Sequence, residues 1–154
     1  MLDMLENARR LGHQRWLELQ LFEVLAGWAT DTPEAHLQPM FAAHCHHHAW
    51  HADLIAARLP EIDEVDTAAL TVPADAEAQQ LVASARATAT TAERLACVYG
   101  AIYQRLSADV TAHLQATDPR VDGPTTRVLT LITRDLIEDM LAGDMALHEF
   151  GAHG

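Results

Sequence analysis

The chain has 154 residues, a length that suits one domain around one core, and residues 1–154 are read as a single unit. Twenty-two acidic residues against ten basic ones give a net charge of −12 with histidine neutral, a field that repels phosphate backbones and excludes nucleic acid as a partner. No apolar run reaches the roughly 20 residues that span a bilayer, and all ten basic residues are arginine, which excludes Schiff-base chemistry and a phosphate loop with its lysine.

Low glycine with abundant alanine and leucine favours helix. From about Met4 to Ala29 the apolar residues Leu11, Leu21, Leu25 and Trp28 fall on one helical stripe. Asp31-Thr32-Pro33-Glu34 then reads as a turn, an N-cap and a proline in a first turn, opening a second helix that runs to about Leu59, with Pro39 inside it as a kink and Pro60 ending it. Residues 61–74 are acidic, irregular and bounded by prolines, a long connection followed by a short helix over about 75–87. Thr90 or Thr91 caps a third long helix to about Ala116, with Glu93 in its first turn, where a carboxylate is favoured. The turn-rich stretch 117–124 separates it from a fourth long helix over about 125–150. Short loops pair helices one with two and three with four, and the long crossover makes helices two and three run the same way; a plain up-down bundle with a decorated loop is the alternative.

Bundle interiors take positions spaced alternately three and four apart. On helix two that spacing selects Leu37, Phe41, His44, His48, His51 and Ile55, so three histidines interrupt an apolar seam. His47 lies on the shoulder of the seam, while His46 and Trp50 point elsewhere; His46 and His47 read as a surface patch able to chelate metal. On helix one the seam is Leu11, Gln14, Glu18, Leu21 and Leu25. Helix four presents Asp135 inward or at the boundary, accompanied by Asp139 or Glu138. Counted from the helix ends at about 1.5 Å per residue, Glu18 comes level with His44 and His48, and Asp135, Glu138 and Asp139 reach nearly the same level. Buried carboxylates and imidazoles are tolerated together when they neutralise one another or hold a cation. Glu18, His44, His48, His51, Asp135, Asp139 and Glu138 are therefore the candidate ligands of a divalent transition metal, iron first, with manganese, zinc or copper as alternatives. Against this stands the plainer reading of Asp135, Glu138 and Asp139 as a solvated acidic face beside Arg134.

With these residues in place the chain resembles the ferritin-like superfamily, four-helix carboxylate proteins with a metal centre in the bundle, over nearly its whole length. The implied fold is all-α: a ferritin-like four-helix bundle with a long crossover and a short extra helix between helices 2 and 3. In that family helices one and three each give a Glu, and helices two and four each carry Glu-x-x-His. Here Glu18 matches the first, and His48-Ala49-Trp50-His51 matches the second-helix motif with histidine for glutamate. Helix three has no glutamate in its middle, and Asp135-Leu136-Ile137-Glu138 has the fourth-helix spacing without the histidine. The resemblance implies oxygen-dependent oxidation or metal storage.

Outside this set, Asp109 and His113 read as a local i,i+4 pair at the bundle edge, and Tyr99 and Tyr103 as core residues with solvated hydroxyls. Trp16, Trp28 and Trp50 mark a homodimer face in this reading. Cys45 and Cys97 form no CxxC pair, and the first ten residues lack a signal-peptide core, so a cytoplasmic location is expected. Two functions compete: a metal-dependent oxidoreductase acting on a small substrate, dioxygen or peroxide, and a non-catalytic metal-binding or structural bundle. Protonating the inward histidines is expected to eject metal and destabilise the fold between about pH 6 and 5.

Overall fold

The computed structural model describes residues 1–153, which are helical with no strand among them. Four long stretches carry the architecture: α1 (Met4–Asp31), α2 (Gln38–Ala56), α5 (Thr91–Cys97) continuing through a π-helical turn (Val98–Ile102) into α6 (Tyr103–Ala116), and α7 (Gly123–His153). Two shorter helices, α3 (Thr67–Leu70) and α4 (Ala76–Arg86), lie in the connection after α2. No helix among the described residues is long and apolar enough to cross a membrane.

Local chemistry sets the boundaries. Asp3 caps α1 through the Glu6 amide, and Asp75 caps α4 through Ala78. Thr90 and Glu93 form a reciprocal capping box at the start of α5, each side chain holding the other's backbone amide. The expected start of α2 is displaced. Thr32 closes α1, and α2 begins at Gln38, so Pro39 stands in the first turn and not inside the helix. A proline has no N–H to give, and only the first turn leaves that position unpaired. Likewise α2 ends at Ala56, with Arg58 and Leu59 in a turn ahead of Pro60, because the residue before proline is pushed out of the helical region.

Side-chain contacts fix the helix directions. Trp28 of α1 meets Phe41 of α2 edge-on at 5.7 Å, and further along Glu18 meets His48, so the two helices are antiparallel. At the end where α1 finishes, Arg94 at the start of the α5–α6 stretch pairs with Asp31 at 2.6 Å, and Thr91 donates to Glu34. At the opposite end His113 of α6 meets Asn7 of α1 at 2.7 Å. Thus α2 and the α5–α6 stretch both begin where α1 ends, and α7 returns along them. The core between them is built from Leu11, Leu25, Phe41, Ile55, Leu106 and Leu129, all fully buried. Gly12 admits the crossover, since a Cβ there would collide with the Leu70 carbonyl of α3.

Candidate metal centre

Helical spacing places Glu18 on the inner face of α1 and His44, His48 and His51 on the inner face of α2; His48, His51 and Glu18 are fully buried and His44 is nearly so. Glu18 faces two imidazoles at once. Its Oε2 lies 2.5 Å from His48 Nδ1, and its Oε1 lies 3.1 Å from His51 Nδ1. One ligand atom from each of Glu18, His48 and His51 lies within 4.8 Å of the other two.

The far nitrogens are held as firmly. His51 Nε2 donates to Asp135 Oδ2 of α7 at 2.8 Å, and His48 Nε2 meets the Tyr103 hydroxyl at 2.6 Å. That hydroxyl donates onward to Asp139 Oδ2 at 2.9 Å, so its oxygen is left to accept from His48. Asp139 Oδ1 then gathers two more imidazoles, His47 Nδ1 at 2.8 Å and His44 Nε2 at 3.3 Å, while His44 Nδ1 meets the Tyr99 hydroxyl at 2.6 Å. Two carboxylate–histidine–histidine groups are therefore joined through Tyr103.

Burial and charge pull against each other throughout. Burial alone would raise the Glu18 carboxyl, but His48 and His51 outweigh it and hold the group below its ordinary value. Burial would lower His51; Glu18 and Asp135, one on each side of the ring, instead push it up to about 9. At His44 the balance goes the other way: burial, and then the neighbouring His47 and His48, press it down to about 3. Asp139 is raised by burial, against the hydrogen bonds from Tyr103 and His47. Both tyrosine hydroxyls are driven well above the usual range, first by burial.

The structure brings together Glu18, His48, His51 and Asp135, and, one bond further, Asp139 and His44. Glu18 lies level with His48 and His51, not with His44 as the count of residues implied, because the turn over 32–37 shifts α2 along α1. Glu138 is exposed on the outer side of α7 and His46 is exposed on α2, both apart from the cluster. His47 belongs to neither surface nor core: it is half-buried and bonded to Asp139, because the shoulder of α2 faces α7. The tyrosines are corrected too. Their hydroxyls are dry and bonded to imidazoles, since the π turn and α6 pack them against α2 and α7. His113 is fully buried between Gln14 and Asn7, and Asp109 pairs with Arg105, so these two are no local pair. Sequence reasoning also missed Gly143, whose absent side chain makes room for the Tyr99 ring; the available signal was a glycine in mid-helix, where it costs about 1 kcal/mol.

Compared with protein-family models, curated proteins and solved structures, the chain matches none.

Proposed function

We propose that the protein is a metal-dependent oxidoreductase with a ferritin-like four-helix arrangement. Its divalent ion, iron first, would be held between α1 and α2 by Glu18, His48 and His51, for reaction with dioxygen, peroxide or a small substrate. The observation that carries this reading is the direction of the imidazoles. Both turn Nδ1 toward one carboxylate, while Nε2–H is anchored on Tyr103 in His48 and on Asp135 in His51. Metal-ligating histidines are held in this way, with the second nitrogen donating to a carboxylate or another polar group that fixes the ring. Two histidines and one carboxylate with open positions are the ligand set of non-haem iron oxygenases. The paired start of α2 and the α5–α6 stretch supports the ferritin-like arrangement.

A bound ferrous ion would supply one-electron chemistry toward dioxygen or peroxide at the positions the chain leaves open. The chain's own residues do the rest. Glu18 offsets cationic charge in a dry site, Asp135 holds His51 in one tautomer, and Tyr103 carries the orientation of His48 to Asp139. Asp135 and His47 are the partly exposed members, with side chains 20% and 32% accessible, on the side where α2 meets α7. Cys45 and Cys97 are free, which suits the cytoplasmic setting expected of this reading.

Elemental analysis of tag-free protein tests the proposal. One equivalent of metal per chain is expected, lost in Glu18→Ala and in His48→Ala and retained in His46→Ala, with circular dichroism confirming that the variants keep their helices. Metal unchanged by the first two substitutions would place it on the surface and overturn the site. Metal whose optical spectrum is untouched by dioxygen and peroxide would overturn the oxidoreductase function.

One observation favours a second reading, a structural polar core without turnover. Every nitrogen and oxygen of the Glu18, His48 and His51 side chains already has a protein partner. Under that reading the protein takes up no buried metal, and its network fixes helix register alone.

A further inference from the structure

The outer face of α7 carries three large aliphatic side chains in the open: Ile137, 59% exposed, Leu141, 63%, and Met145, 59%. They recur at every fourth position and so line one stripe, opposite the face that Leu129, Ile132 and Leu136 bury in the core. Isolated exposed apolar residues need no explanation, but a continuous stripe along a long helix does. The face expected from the tryptophans is less apolar: Trp28 lies in the core, Trp16 is half-buried, and Trp50 alone is exposed, at 45%.

We propose that a second copy of this chain covers the stripe, with the two α7 helices antiparallel about a two-fold axis at Leu141. Charge complementarity selects this partner. Arg134 and Glu149 are both exposed, and neither forms an ion pair among the described residues. They flank the stripe at opposite ends, seven residues before Leu141 and eight after it. An antiparallel copy brings Arg134 to within one residue, about 1.5 Å along the axis, of the level of the other chain's Glu149. The two-fold axis makes that pair twice. The same axis sets Ile137 level with the other copy's Met145 and leaves Glu138 and Asp144 on opposite flanks, so they do not meet. A contact of this kind is isologous and closes on itself. One helix pair covers less than the about 800 Å² per partner of a standard interface, and −12 charges on each copy oppose association. The dimer therefore dissociates on dilution.

Sedimentation velocity over a range of concentrations, at about 0.15 M salt where the Debye length is about 8 Å, tests the assignment. The wild-type chain is expected to shift from monomer to dimer with concentration, and Leu141→Asp to remain monomeric with unchanged circular dichroism. Arg134→Glu and Glu149→Arg are each expected to weaken the dimer, and the double exchange to restore it. Leu141→Cys is expected to form a disulfide-linked dimer under mild oxidation, which wild type, with Cys45 and Cys97 in place, does not. A monomer at every concentration overturns the proposal. So does a dimer that Leu141→Asp leaves intact and Trp50→Asp abolishes.

Discussion

Tyr103 donates its hydroxyl proton to Asp139 across 2.9 Å, and by doing so it ties a residue of α6 to one 36 positions later on α7. The same oxygen faces His48, so this one atom joins the Glu18 group to the Asp139 group. Tyr103→Phe keeps the ring and its packing but leaves His48 Nε2 and Asp139 Oδ2 without their partner in a dry interior. Such orphaning costs about 1–3 kcal/mol, and about 1 kcal/mol lowers the melting temperature of a chain this long by roughly 2–4 °C. A fall of roughly 2–12 °C in a thermal melt of metal-free protein is expected, with helix content retained. In metal-loaded protein the substitution is expected to weaken binding by about 10- to 100-fold, as losing a group that orients a ligand does. A metal titration unchanged by Tyr103→Phe would show that His48 needs no such support.

His51 lies between two carboxylates, and the sign of its pH effect follows. In the folded chain it binds its proton up to about pH 9, against an ordinary value of 6.5. Between those limits the native state keeps a proton that the unfolded chain has released, so stability is fully present below pH 6.5 and is lost as pH rises through 9. The contribution is on the order of 3 kcal/mol. Urea unfolding of metal-free protein at pH 6.5 and pH 9 is expected to show that decline. Asp135→Asn removes one of the two carboxylates and is expected to lower the His51 titration seen by NMR and to flatten the alkaline arm.

His44 and His113 work in the other direction. Their folded values, about 3 and about 4, lie below the ordinary 6.5, chiefly because both are buried. As pH falls below 6.5 the unfolded chain takes up protons that these two rings refuse, so stability is lost between pH 6.5 and about 3. Glu18, also held below its ordinary value, adds to the loss under acid, while Asp139, raised by burial, opposes it over the carboxylate range. The metal-free protein is expected to be most stable near pH 6.5 and to weaken on both sides. This differs from a single loss between pH 6 and 5, because the inward histidines do not titrate together: His51 stays charged where His44 stays neutral.

Helical phase was legible in the sequence wherever a residue's own helix decided its burial. Glu18, His44, His48 and His51 sit inside because the alternating spacing puts them there. What depends on a second helix was not legible. His47 is drawn in by Asp139 of α7, and Glu18 sits opposite His51 and not His44 because a six-residue link shifts α2 along α1. Neither is decided by the helix that carries the side chain alone. The tyrosines failed for a related reason. Burial of Tyr99 and Tyr103 was readable, but the partners of their hydroxyls were not: Gly143 of α7 admits the Tyr99 ring beside His44, and Asp139 of α7 accepts from Tyr103.

Gly143 and Gly12 give a test that separates the site from the scaffold. Alanine is the better helix former by about 1 kcal/mol, so propensity alone predicts that either exchange stabilises. At Gly143 a Cβ would run into the face of the Tyr99 ring, which is closely packed and whose hydroxyl is held by His44. At Gly12 it would meet the backbone carbonyl of Leu70, in a four-residue helix with no buried residue. Gly143→Ala must therefore displace core, and a net loss of about 1–3 kcal/mol is expected from overpacking, with the His44 NMR resonances shifted. Gly12→Ala can push α3 outward at small cost, so faster amide exchange over 67–70 is expected with the His44 resonances unmoved. If Gly143→Ala instead stabilised the protein and left His44 unchanged, the Tyr99–His44 contact would not be what fixes the Asp139 side of the cluster.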